Sequence, residues 1–225
     1  MPSMPPSLVD VPAAVEPAVV PASRPAPFPR VVPWVLLLGG LVGCTAAVVL
    51  TVEKVALLTN PDYVPSCSIN PVLSCGSIMS APQAEAFGFP NPILGIVGFA
   101  VVTTTGAALL AGARLARWYW IGLQIGVLAG AVFVGWLVFQ SLYRIGALCP
   151  YCMAVWAVVL PVAVYVTLHN LTAGTIRVPA RGRRLVDVLV RYHGVILTSL
   201  FLVLAGLIAQ AFWSSWLVMA GIGAP

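Results

Sequence analysis

Cys149-Pro150-Tyr151-Cys152 puts two thiols about one helical turn apart, close enough to close a disulfide or to share a metal. Two further cysteines, Cys67 and Cys75, stand eight residues apart in the only long polar loop between apolar runs. Asn70-Pro71 between them is a turn signal that bends the chain and makes a local bridge feasible. The chemistry that suits two such pairs is thiol–disulfide exchange, in which one thiolate attacks a disulfide sulfur and another leaves. Cys149 falls at or just before the start of an apolar run that reads as a helix. Unpaired N–H groups and the helix dipole favour an anion there. Pro150 suits the first helical turn, and Cys152 comes one turn deeper. The outer cysteine is placed to meet another thiol, and the inner one to meet something dissolved in a membrane.

Other chemistries fit these residues less well. The same four-residue motif serves glutaredoxin-like soluble proteins, but the βαβ pattern around it is absent. A zinc site needs four suitably spaced ligands, and His169 and His193 fall on the opposite side of the membrane, so no metal is expected. Two structural disulfides stapling a cap, in an assembly subunit without redox turnover, are the alternative. A staple would not need its second pair at the mouth of a helix bundle.

The elements that position the cysteines follow from composition. The chain is 60% hydrophobic and only 8% charged, too few charges to clothe a soluble surface. An all-α membrane protein is expected. Charge-free runs at 31–52, 86–113, 118–143, 145–176 and 192–225 each supply the roughly 20 residues a transmembrane helix needs. The net charge of +5 is a topology code, with no nucleic acid implied. Nine of the eleven basic residues, Arg24, Arg30, Arg114, Arg117, Arg177, Arg181, Arg183, Arg184 and Arg191, share one side if five helices alternate, leaving Lys54 and Arg144 on the other. By the positive-inside rule the N-terminus is cytoplasmic and the C-terminus lies outside the cell membrane. All four paired cysteines are then extracytoplasmic, where disulfides persist.

Residues 1–30, with nine prolines, read as a disordered cytoplasmic tail. Residues 31–170 form a four-helix catalytic bundle carrying the cysteine loop 53–90, then come a basic cytoplasmic loop, 171–191, and a fifth transmembrane helix, 192–225. Within the loop, 76–87 suggests a short amphipathic helix. Leu41-Val42-Gly43-Cys44 has the form of a lipoprotein cleavage box, but the apolar span simply continues past it, so Cys44 reads as an inert thiol. Asn91 and Pro92 make a good N-cap and first helical residue. Trp118, Tyr119 and Trp120, with Trp213 and Trp216, mark membrane interfaces. Glycines at 95, 98, 106, 112, 122, 126, 130 and 135 would permit close helix contact.

The loop cysteines, Phe89-Pro90-Asn91-Pro92-Ile93-Leu94-Gly95 and the Cys149–Cys152 motif together resemble the vitamin K epoxide reductase family, in its bacterial disulfide-forming members, over about residues 33–170. The resemblance implies four helices around a quinone of menaquinone or ubiquinone type, with the fifth helix an addition. It implies that Cys67 exchanges with a thioredoxin-like partner, that Cys75 carries the exchange to Cys149, and that Cys152 contacts the quinone. Asn91 matches a family asparagine that hydrogen-bonds the quinone carbonyl, a role that stands beside the plain N-cap. Two positions depart from the pattern. The hydroxyl residue expected six after the second loop cysteine is Ala81, with Ser80 one earlier, and the aromatic four after Cys152 is Trp156 where tyrosine is common. These departures leave the relay intact and bear on the carbonyl contacts and on epoxide reduction. The implied function is quinone-dependent disulfide generation, with the partner a separate polypeptide.

Overall fold

The computed structural model describes residues 30–60, 62–70, 72–176, 178–179 and 182–213. The Pro-rich tail up to residue 29, Pro61, Pro71, Arg177, Arg181 and Trp216 with the rest of the C-terminal end lie outside them. Among the described residues seven helices run in order: α1 Val31–Thr59, α2 Cys75–Ser80, α3 Asn91–Leu110, α4 Arg117–Gln140, α5 Pro150–Thr172, α6 Arg183–Arg191 and α7 His193–Ala211. A 3₁₀ turn, Pro82–Glu85, follows α2, and a π turn, Ser141–Ile145, ends α4. Among the described residues the only β pairing is an isolated parallel bridge between Leu73 and Leu148. Among the described residues five helices are long and apolar enough to cross a membrane: α1, α3, α4 with its π turn, α5 and α7. This is an all-α, multi-pass membrane protein, and large apolar side chains such as Val132 and Leu202 are exposed where lipid would lie.

α1 is the spine, packed along α3 on one side and α5 on another, while α4 and α7 both lean on α5. It also outruns its expected end at residue 52. Its 29 residues reach Thr59, about 43 Å at 1.5 Å per residue against a hydrocarbon core of about 30 Å. The helix is thus longer than the hydrocarbon is thick, and Glu53 and Lys54 stand on it, where a loop was expected. The amphipathic helix expected at 76–87 is broken in two at Ala81, which takes an extended conformation ahead of Pro82. The basic loop 171–191 contains α6, whose Arg183, Arg184, Asp187 and Arg191 share one face opposite Leu185 and Leu189.

The expected glycine contacts are only partly met. Gly106 packs on the Leu36–Leu37 backbone and Gly95 on Ala47, but Gly98, Gly122, Gly126, Gly130 and Gly135 face open space. The tight contacts come instead from Gly40 against Thr103 and Gly43 under Phe99, both on α1. A Cβ at Gly106 would collide with backbone that cannot yield. Gly106→Val should therefore lower the thermal midpoint in detergent, a loss of about 1–3 kcal/mol. Gly126→Val, entering open space, should leave that midpoint nearly unchanged.

Candidate functional site

The site begins with a turn. The Asn70 Oδ1 accepts from the Val72 N–H (3.0 Å) and the Leu73 N–H (2.7 Å), while the Ile69 N–H donates to the Leu73 carbonyl at 2.8 Å. This folds Cys67 back on Cys75, and the two are disulfide-bonded with Cα atoms 5.6 Å apart. Ser74 then caps α2, its side chain accepting from the Ser77 N–H, so Cys75 is the first helical residue.

A second segment is clipped to this turn. The Leu148 N–H donates to the Val72 carbonyl at 2.7 Å, and the Ser74 N–H donates to the Leu148 carbonyl at 2.9 Å. The buried Ser141 hydroxyl donates to the Ala147 carbonyl, and Gly146, at φ +69°, supplies the left-handed turn that frees the chain from α4. Cys149, next in line, is extended (φ −120°, ψ 123°) and caps α5, with Pro150 the first helical residue. The clip brings the Cys149 Sγ to 3.0 Å from the Cys75 Sγ, across 74 residues of sequence. Reacting atoms held about 3–3.5 Å apart are in near-attack geometry.

Cys149 and Cys152 are both free thiols. The acidity of Cys149 is raised, its pKa lying below the ordinary thiol value. The largest cause is the hydrogen bond from the Cys152 thiol, backbone N–H groups of Cys152 and Tyr151 add to it, and burial opposes it. Cys149 is thus an acidified thiol facing the loop disulfide.

Cys152 looks the other way, into a cavity of about 710 Å³ between α1, α3, α4 and α5. Its walls are apolar, with Phe99, Leu123, Val127 and Trp156 among them, and Gly98, Gly122, Gly126 and Gly130 leave its sides flat. The polar groups on the wall include Lys54, Asn91, Gln140 and Ser141.

The structure brings together Cys67, Cys75, Cys149, Cys152, Asn91 and Trp156. Trp156 is 3% exposed and packs beneath the motif with Leu142, Leu148 and Phe212. Two expectations are corrected. Ser80 is exposed at the end of α2 and is not on the cavity wall, because α2 turns Met79 inward and Ser80 out. Asn91 is not an N-cap: Pro90 holds that position, and Asn91 is the first helical residue. The Asn91 amide instead donates to the Gln83 carbonyl at 2.7 Å and accepts from the Ala86 N–H at 3.1 Å. It pins the cap to α3 and keeps one amide hydrogen to spare. Cys44 is half-buried on α1 and is not on the cavity wall.

Three residues were missed: Ser141, Lys54 and Glu53. Glu53 accepts from the Tyr63 hydroxyl (2.9 Å), the Ser66 N–H (3.3 Å) and the Ser66 hydroxyl. The Glu53 carboxylate pushes the Tyr63 phenol pKa up. A Glu-Lys pair interrupting an apolar run was the available signal.

Against known families, a sequence model described as the vitamin K epoxide reductase family matches residues 34–167, well over half of the chain. No curated protein matches the chain.

The Cys149 assignment has a direct check in a Cys44→Ala background with the loop disulfide intact. Thiolate absorbance on raising the pH should show a first midpoint below that of free cysteine, and Cys152→Ala should move it up by removing the thiol donor. A midpoint unmoved by Cys152→Ala would mean that the neighbouring thiol does not set it.

Proposed function

This chain belongs to the vitamin K epoxide reductase family, and on that footing we propose that it is a quinone-dependent thiol oxidoreductase that makes disulfides on the extracytoplasmic side of the cell membrane. The carrying observation is a centre with two faces. On one side the Cys149 sulfur lies 3.0 Å from Cys75; on the other Cys152 opens into a flat-walled apolar cavity. The cavity fits a quinone head by size and chemistry, since ligand sites of about 300–1,000 Å³ with apolar walls and a few polar groups are the rule. A bound quinone supplies a two-electron, two-proton acceptor. Leu123, Val127 and Trp156 would flank it, the glycine strip would admit its flat ring, and the spare Asn91 amide hydrogen would reach a carbonyl.

The residues then act in order. A thioredoxin-like partner attacks Cys67 with one thiolate and closes its own disulfide with the other, leaving Cys67 and Cys75 reduced. The Cys75 thiolate attacks Cys149 of an oxidised Cys149–Cys152 pair, and Cys152 leaves as thiolate. Cys67 attacks Cys75, restoring the loop disulfide and freeing Cys149. The electron pair and two protons now reside on Cys149 and Cys152, beside the cavity. In the structure Cys67 and Cys75 are bonded and Cys149 and Cys152 are free. The choice of side is supported by the charge pattern: among the described residues Arg30, Arg114, Arg117, Arg183, Arg184 and Arg191 adjoin the helix ends opposite the cysteine loop.

The test is anaerobic turnover of the purified protein with dithiothreitol and a short-chain benzoquinone or naphthoquinone. Wild type and Cys44→Ala should form one hydroquinone per dithiol consumed, and Cys152→Ala none. Gly130→Trp, filling the open strip, should abolish quinone reduction while its loop disulfide still accepts electrons from dithiothreitol. Wild-type protein that reduces neither quinone would end this reading.

A further inference from the structure

Two adjacent charged residues at the outer end of α1 have no part in the relay as drawn, yet both are buried. Glu53 and Lys54 are each 7% exposed, while their neighbours Val52 and Val55 are exposed to 63% and 51%. Successive helical side chains leave the axis about 100° apart, so one helix end grips two different parts of the cysteine loop. Glu53 holds Tyr63 and Ser66, immediately ahead of Cys67. Lys54 donates to the Met79 carbonyl at 2.7 Å and pairs with Glu85 at 2.8 Å, holding the far end of the helix that Cys75 begins.

The two halves differ in what else secures them. Cys75 is fully buried and Met79 nearly so, both packed with Leu50 and Cys149. The half leading to Cys67 has no regular structure from 63 to 65, and Val64 and Ile69 on either side of the cysteine are exposed to 72% and 70%. Cys67 is only 5% exposed. An incoming protein thiolate cannot reach that sulfur until the segment lifts, and the Glu53 carboxylate is the main side-chain tie holding it down.

We infer that Glu53 and Lys54 are positioning residues with opposite tasks. Glu53 is a latch that yields to let a partner dithiol reach Cys67, and Lys54 is a fixed pin that keeps Cys75 against Cys149 throughout. The inference rests on the relay proposed above. The external dithiol gives two electrons to the Cys67–Cys75 bond and becomes a disulfide. The loop then passes the pair inward by the attack of Cys75 on Cys149, with Cys152 leaving. Latch and pin act on different steps, the first on the external exchange and the second on the internal one.

The experiment measures both steps in a Cys44→Ala background prepared with both pairs oxidised. Reduced thioredoxin is the probe, and acid quenching, alkylation and peptide mass mapping report which pair carries the electrons. Glu53→Ala should speed external reduction of Cys67–Cys75 about tenfold, the effect of losing roughly one net hydrogen bond, and leave internal transfer unchanged. Ser66→Ala, which loosens the same latch from its other side, should act in the same direction. Lys54→Ala should do the reverse, slowing internal transfer about tenfold by the same measure without changing external reduction, and Lys54→Arg should restore it. Changes in both steps together in every variant, as from general collapse of the cap, would overturn the inference. So would no change in either. Wild-type protein whose reduced loop never passes electrons to Cys149–Cys152 would overturn the relay itself, a different failure that the same mapping reveals.

Discussion

Two main-chain hydrogen bonds hold the redox centre together, from the Leu148 N–H to the Val72 carbonyl and from the Ser74 N–H to the Leu148 carbonyl. Each is worth only about 0.5–1.5 kcal/mol net, but they tie the cysteine loop to the start of α5 after the chain has crossed the membrane twice. Cys75 directly follows one partner and Cys149 directly follows the other, so the clip sets the sulfur–sulfur distance almost without side-chain freedom. The Asn70 turn, the Ser74 cap, the Ser141 bond to Ala147 and the left-handed Gly146 serve to present those few backbone groups. Trp156, packed against Leu148, supports the clip from below.

Around this clip, small and charged residues divide the space. Glycines on α1, with Gly95 and Gly106 on α3, close the α1–α3 seam, and Gly98 on α3 and the glycines of α4 do the opposite, leaving a flat-sided cavity beside Cys152. Among the described residues, buried charge is confined to the C-terminal end of α1. There Lys54 has an ion pair and a carbonyl, and Glu53 has a phenol, a hydroxyl and an N–H. Buried ions with such partners avoid most of the desolvation cost that would expel lone ones. The Asn91 amide, bonded to the backbone at Gln83 and Ala86, ties the same cap to α3.

Much of this was legible in the sequence. Charge-free runs of bilayer length mark every crossing helix, because hydrophobic length is nearly all that a membrane span requires. The four cysteines declare themselves by type and spacing, and the turn at Asn70 by its residue chemistry. The failures have physical causes. α1 continues past residue 52 because Glu53 and Lys54 are satisfied by the loop that folds over them, a long-range event that local hydropathy does not register. Asn91 has the chemistry of a cap, but tertiary partners eight and five residues earlier outcompete the local bond. Gly98 and the glycines on α4 resemble the packing glycines Gly95 and Gly106, and only the placement of neighbouring helices shows that they border empty space. Ser80 has the hydroxyl for a cavity contact but the wrong helical phase, one residue from the inward-facing Met79.

The juxtaposition of Cys75 and Cys149 carries the account of electron flow, and trapping tests it most directly. Cys67→Ala removes the thiol that would resolve a bridge between loop and motif. Oxidising this variant and mapping its peptides without reductant should reveal a Cys75–Cys149 disulfide as the dominant species. Accumulation of Cys75 joined to Cys152, or no bridge between loop and motif, would contradict it.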